Sequence, residues 1–359
     1  MGKCGLYPQT RRGKRQAALA SGCGVWQLSR SHGEFFCEMS QPLRHVLLSS
    51  VKDEGPFVLE FIAHHRVLGF DAIHMASNDC SDGTDLLLDA LASQGVITHT
   101  RNRLKPGDTP QHRGYQRIRK EHPIAEADWI MVLDADEFLV VDRGARRVGD
   151  LTALAGPEVD VITLNAMNFG TSGDFGWRPG RVAEQFPDRL PTTHRRNGPV
   201  KSLSRGGGRW KNLHNHHPMG FTGPGDICHM RGNGEVSHVP NDGRLWDHLR
   251  HFKPDRITHE IAWFNHYPIK SLDSYMLRRR RGRGVTKVGA EPVERHTEEY
   301  WTIFAAAQQR DTRILDFYGD ETLTEIARLR ALPGIDAAQL MTEARFAAQI
   351  AAIAAEPDD

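Results

Sequence analysis

The sequence predicts an α/β fold, with a mostly parallel central sheet flanked by helices. Two observations carry this. First, short apolar runs alternate with amphipathic stretches at roughly 25-residue spacing, the pattern of βαβ units. Second, the run Trp129–Leu133 ends in Asp134-Ala-Asp136-Glu137 before Phe138–Val141 turns apolar again. Such a run reads as a buried strand, and carboxylates at its carboxyl end lie where open α/β sheets bind ligands.

Taken in order, residues 1–41 hold Lys3, Arg11, Arg12, Lys14, Arg15 and Arg30, with no acid before Glu34. They show no sustained period, so a solvated, disordered basic arm is expected. His45–Val51 reads as the first buried strand. Pro56 opens a helix whose apolar face is Phe57, Val58, Phe61, Ile62, His65 and Leu68. His64 and His65 are expected to pack, and Glu60 to pair with His64 four residues on. Gly69 ends this helix. Asp71–Ala76 is the second strand. The polar loop Asn78–Thr84 follows, in which Ser81, Asp82 and Thr84 can cap a helix over 85–93. A third strand is expected over 95–100, a polar helix over 109–126, and a further strand over 160–166. Residues 168–260 are rich in Gly, Pro, Arg and His and read as binding loops with short strands. Helices are expected over 271–283, 292–309, 319–331 and 335–353. In the last, Leu340, Ala344, Ala347 and Ala351 form a stripe for core or partner packing.

The 359 residues suffice for one large or two ordinary domains. Lys+Arg is 46 against Asp+Glu 45, so no global field attracts nucleic acid. The five cysteines, Cys4, Cys23, Cys37, Cys80 and Cys228, are scattered without a CxxC pair. That excludes a disulfide scaffold or thiolate zinc site and favours a reducing compartment. No apolar run approaches the roughly 18 residues a membrane helix needs, and no signal peptide is legible. A cytoplasmic location is expected, with peripheral contact at the inner membrane face allowed.

Asp134 and Asp136 are two apart and on an extended segment would point the same way. Paired carboxylates suit a hard divalent cation that also holds phosphate oxygens. The competing reading is a strand-ending turn. The acids of the 78–84 loop lie at the same sheet edge and can accept hydrogen bonds from a base or ribose. His214, His216 and His217 read as loop histidines near the site rather than a zinc centre. Arg278–Arg283 reads as a solvated helix end, or as a contact to a diphosphate or an anionic acceptor.

Six stretches, in this order, resemble the family 2-type glycosyltransferases: Ser50–Pro56, Glu60–His65, Asn78–Thr84, Asp134–Phe138, Asn168–Gly173 and Asn265–Ser271. The likeness is to a bacterial branch with K-x-E-x-x-x-L-x-E-W-x-x-Y-H openings, and it covers residues 45–285. It implies a GT-A fold, a nucleotide-sugar donor (UDP-sugar by default), Mn2+ or Mg2+, and a glycan or lipid-linked acceptor. Residues 42–142 would form the nucleotide-sugar half, 143–285 the acceptor half, and 286–359 a helical extension. By resemblance Asp82, with Asp79 beside it, contacts the nucleoside. Asp134 and Asp136 meet the ribose and the metal-bound diphosphate, and His266 completes the metal shell. Inverting transfer also needs a carboxylate to take the acceptor's proton. Asp174, in a glycine-rich loop near Trp177, is the first candidate, with Glu137 and Glu184 competing. The Gln-x-x-Arg-Trp signature of processive synthases is absent. Asn78-Asp79-Cys80 stands where many relatives carry Asp-Asn-Asp or Asp-Asp-Gly, which leaves open which acid meets the base. A nucleotidyltransferase and a non-catalytic nucleotide- or sugar-binding protein are the competing functions.

Overall fold

A computed structural model describes residues 26–31, 34–39, 43–282, 284–290 and 296–355. The expected basic arm lies outside these, except for β1 (Trp26–Ser31) and β2 (Glu34–Met39). These two pair antiparallel as a hairpin that stands as a unit by itself.

The second unit begins at Leu43. Its first half runs β3 (His45–Val51), α1 (Gly55–Val67), β4 (Ala72–Ser77), α2 (Thr84–Ser93), β5 (Thr98–Arg101), α3 (Pro110–Glu121), β6 (Trp129–Val132) and β7 (Glu137–Val141). Helix α3 stops short of its expected end because His122 precedes Pro123, which disfavours helical backbone. There follow α4 (Val148–Thr152), β8 (Val161–Asn168), α5 (Val182–Gln185), β9 (Asp188–Arg189), β10 (Val200–Arg205), β11 (Trp210–Asn212), β12 (Met219–Phe221), β13 (Ile227–Arg231), β14 (Val236–Val239) and α6 (Leu245–Leu249). The chain ends with β15 (Ala262–His266), α7 (Leu272–Arg281), α8 (Glu298–Ala305), β16 (Gln309–Arg310), α9 (Arg313–Arg330) and α10 (Ile335–Ala354).

The main sheet has the order β14-β13-β8-β10-β6-β3-β4-β5, with β15 and β7 attached beside β8. Strands β5, β4, β3 and β6 form the expected parallel block. Strand β10 enters antiparallel between β6 and β8. This insertion decides the site. The carboxyl ends of β3, β4, β6, β8 and β15 and the amino end of β10 all come to one edge of the sheet.

The core follows the predicted faces. Val58, Phe61, Ile62 and Leu68 of the α1 region are fully buried against strands such as Met131 and Leu139. At roughly 2 kcal/mol for each large apolar side chain, this burial dominates what holds α1 on the sheet. Glu60 does not pair with His64. His64 Nε2 lies 2.8 Å from the Leu139 carbonyl oxygen, and Glu60 accepts hydrogen bonds from the backbone N–H groups of Val182 (2.5 Å) and Ala183 (3.3 Å). The orphan donors at the start of α5 outcompete a helix-surface pair for a carboxylate this deep. Burial pushes the Glu60 carboxyl up to about 7 despite those two bonds. An acid raised on folding takes up a proton as the chain folds, so its contribution falls as pH rises from about 4.5 to about 7. Glu60→Gln should flatten that part of the stability–pH curve, which in the parent drops by roughly 3 kcal/mol across the window. Chemical denaturation of both forms at pH 5 and pH 8 measures it, and parallel curves would rule it out.

Helices α9 and α10 lie against α1, and α10 also against α2. Helix α9 starts earlier than expected because Tyr318 is an anchor. Its hydroxyl accepts from Val141 N (3.0 Å) and donates to Val141 O (2.9 Å). The stripe expected on α10 is corrected. Leu340 is 50% exposed, and Ala344, Ala347 and Ala351 are exposed as well. The buried face is Ile335, Gln339, Thr342 and Phe346. Alanine offers little apolar area, so Phe346, edge-on to Phe57 at 5.5 Å, and Ile335 set the docking face. Thr342 packs where Gly55 lacks a side chain; a Cβ there would stand 2.6 Å from Thr342 Cβ.

Candidate functional site

The acid cluster sits on a turn, not on an extended strand. Strand β6 ends at Val132, and Glu137 N donates to Asp134 O at 3.0 Å as β7 begins. Asp134 and Asp136 therefore meet different partners. Asp134 accepts from Gln111 Nε2 (2.8 Å) and Lys201 Nζ (2.9 Å). Asp136 accepts from Arg278 Nη1 (2.5 Å) and has His266 Nε2 at 3.7 Å. Glu137 Oε2 accepts from Asp134 N (3.0 Å) and lies 2.8 Å from Lys201 Nζ.

Strand register explains why these groups converge. Glu137 on β7 and Asn168 on β8 both stand opposite His266 on β15. Lys201 lies at the amino end of antiparallel β10, so its side chain reaches the turn after β6. It is almost fully buried yet remains a cation. Burial works against its charge, but Asp134 and Glu137 outweigh burial and hold the ammonium above its ordinary range. Burial also pushes Glu137 up to about 8, with Lys201 opposing and Asp134 and Asp136 adding to the rise. For Asp136 burial is outweighed by Arg278 and His266, and its carboxyl falls well below the usual range.

The residues present fit a divalent cation. Asp136, Glu137 and His266 each offer a ligand atom, all within 4.8 Å of one another. Asn168 Nδ2 donates to Arg196 O (2.8 Å) and Asn197 Oδ1 (2.9 Å), so its Oδ1 turns to His266 Nδ1 at 2.7 Å. In the neutral ring this network assigns the proton to Nδ1 and aims the Nε2 lone pair at Asp136, the support that metal-ligating histidines use. The metal set expected from the sequence was Asp134, Asp136 and His266. The structure brings Glu137 to the other two, while Asp134 is held by Gln111 and Lys201.

Both loop acids are accounted for. Asp82 is fully buried: Oδ2 accepts from Gly55 N (2.8 Å), and Oδ1 accepts from Thr84 N (2.8 Å) and Thr84 Oγ1 (2.5 Å). Its oxygens thus tie the starts of α1 and α2 together. Asp79 lies on a cavity wall in left-handed backbone, φ 46°, a conformation that costs a non-glycine residue energy. Asp174 pairs with Arg178, and Glu184 with Arg181. Trp177 packs on Phe346 at 5.1 Å between ring centroids. Neither Asp174 nor Glu137 lines the large cavity, whose acids among the described residues are Glu54, Asp79, Asp134 and Asp136.

That cavity, about 980 Å³, opens at the sheet edge. At its acid end Glu54 is held by Arg281 (2.7 Å) and Lys270 (3.5 Å). Burial would raise Glu54, and these two cations reverse the shift. His214 and His216 line another part of the wall, with the His112 ring tilted against His214 at 4.8 Å between centroids. Burial holds His214 down to about 3, with His112 and His217 adding to the fall, so it is neutral. Sequence reasoning missed Lys201, Gln111 and Asn197. The signal for Lys201 was a lone lysine on the same strand face as Leu203, in a stretch that alternates.

No family model matches this sequence, and no curated protein matches it. Among solved structures, the chain is similar to residues 1–349 of S. aureus TarS, with a TM-score of 0.33 and 9% identity over 87% of this chain and 91% of that one. Against the same protein in complex with UDP-GlcNAc it covers 37% of that chain's length, with a TM-score of 0.27 and 12% identity. Glucosyl-3-phosphoglycerate synthase from Mycobacterium tuberculosis, in complex with Mn2+, UDP and glucosyl-3-phosphoglycerate, aligns over 40% of this chain and 47% of that one, with a TM-score of 0.23 and 14% identity. A putative glucose-1-phosphate thymidylyltransferase from Bacillus anthracis aligns over 45% and 71%, with a TM-score of 0.26 and 8% identity.

Proposed function

We propose that the chain is a glycosyltransferase of GT-A type that moves a sugar from a nucleoside diphosphate sugar to an acceptor. One observation carries the reading. Asp134, Asp136, Glu137 and His266 converge at the carboxyl edge of the parallel block, beside a cavity large enough for a nucleotide sugar. Asp136, Glu137 and His266 would hold Mn2+ or Mg2+. A divalent cation bound there would offset the charge that develops on the departing diphosphate. The chain's own cations act on the same group. Arg278 and Arg281 line the cavity beside Asp136 and Glu54 and would draw a diphosphate to that wall. With the Asp82 oxygens engaged, contact with base or ribose falls to Asp79. Asp134, whose side chain is 27% exposed, offers an oxygen to the ribose or the diphosphate. Glu137 supports the cluster from behind the wall.

The test is a thermal-shift series with UDP, UDP-sugars and nucleoside triphosphates, each with and without Mn2+. At a ligand concentration a hundred times Kd, binding to the folded state alone adds about 2.7 kcal/mol. A rise in Tm with a nucleoside diphosphate that needs the metal is expected. If no nucleoside diphosphate gives one, the donor-site reading fails. A response confined to triphosphates, with pyrophosphate released on turnover, would favour a nucleotidyltransferase.

A further inference from the structure

The cavity wall away from the acids is built of cations and an aromatic. Arg195 and Arg196 lie on the short turn before β10. Arg250 and Trp246 come from α6 and its end, with the Arg250 guanidinium 4.0 Å from the Trp246 ring centroid. His251 bridges to Pro199 and brings the α6 end against the start of β10. Among the described residues the acids that line the cavity come from the loops after β3, β4 and β6. Among the described residues neither Arg195 nor Arg196 forms an ion pair, and Arg196 Nε is buried without a hydrogen-bond partner. The same turn touches the acid cluster, because Arg196 O accepts from Asn168, which holds His266. The basic wall is thus set at a fixed reach from the reacting end.

A guanidinium is a planar fork matched to phosphate and weakly hydrated, so arginines grouped in a cavity wall select for phosphoryl oxygens. Trp246, 36% exposed, supplies an apolar face of the kind that sugar rings cover. We infer that the Arg195–Arg196–Arg250 wall is an acceptor subsite for a phosphorylated sugar or alcohol, so that transfer is directed to an anionic acceptor rather than a neutral glycan. This rests on the glycosyl-transfer reading above.

The test measures binding by calorimetry to the full chain with Mn2+ and saturating UDP. The probes are glucose 1-phosphate, glycerol 3-phosphate and methyl glucoside, and separately vesicles of phosphatidylglycerol. Glucose 1-phosphate is expected to bind at least tenfold tighter than methyl glucoside. Arg195→Gln, a change on an exposed side chain, and the double variant Arg195→Gln/Arg196→Gln should each weaken it, the double by tenfold or more. UDP affinity in both variants should stay within twofold, which also reports that the fold is intact. Loss of the soluble phosphates supports a free phosphorylated acceptor, and matching loss of vesicle binding supports a lipid headgroup as the source of the same group. Equal affinity for phosphorylated and neutral probes, or full phosphate binding in the double variant, overturns the inference. Absent UDP binding with arginine-dependent phosphate binding intact would overturn the donor reading alone and leave the anion subsite standing.

Discussion

Asp136→Asn is expected to remove sugar transfer by on the order of 100-fold or more, the scale of losing one preorganised electrostatic partner. The metal-dependent rise in Tm with a nucleoside diphosphate should vanish with it. The amide keeps the shape of the side chain, so the turn is not remodelled. It does strip the charge that faces Arg278, and breaking a buried pair costs about 3–5 kcal/mol. The Asp136 carboxyl is lowered on folding, so its stabilising contribution is present above the unfolded value and is lost as pH falls through the folded one. The stability gap between parent and variant should therefore be level from pH 5 to pH 8 and close only in strong acid. Denaturation curves across that range, with turnover assayed with and without chelator, check both halves. Transfer that survives in Asp136→Asn with metal removed would end the proposed mechanism.

Lys201→Met should destabilise the fold on the same scale as Asp136→Asn. It leaves Asp134 and Glu137 facing each other without the ammonium 2.9 Å and 2.8 Å away, again at a cost of about 3–5 kcal/mol. Without the cation Glu137 rises further, because Lys201 is what opposes burial there. An acid raised on folding loses stability as pH climbs from its unfolded value to its folded one. Parent and variant should thus lose stability in parallel from about pH 4.5 to about pH 8, and the variant should fall further behind only above about pH 8, where Glu137 ionises in the parent but not in the variant. Mn2+ held by Asp136, Glu137 and His266 would supply charge to Glu137 in place of the ammonium, so it should raise the Tm of Lys201→Met by more than that of the parent. Equal metal responses would mean that Lys201 and the cation site are independent.

Much of the architecture was legible because it depends on local pattern. Trp129–Val132 reads as a buried strand from its apolar run, Pro56 marks the start of α1, and the acids after Val132 mark the ligand edge. The misread parts all rest on contacts distant in sequence. Nothing near Glu60 says that Val182 will need an acceptor. Nothing in residues 335–353 says that polar Thr342 will seat on Gly55 while Leu340 faces out. Asp82 has the right residue type for a ligand, but two helix starts claim its oxygens. Lys201 could be flagged from strand alternation, but its partners could not, because β10 reverses direction between two strands that agree.

The antiparallel entry of β10 has a consequence for assembly. Asp134 is matched by a residue 67 positions later, and Asp136 by one 142 positions later. Contacts of such separation close late, after loop entropy has been overcome. A chain folded only through β6 and β7 would hold its three acids as an unmatched knot of like charge. The acid cluster therefore cannot form as an early, independent module. It comes into being only when β10 and α7 have docked, so its integrity reports the placement of both.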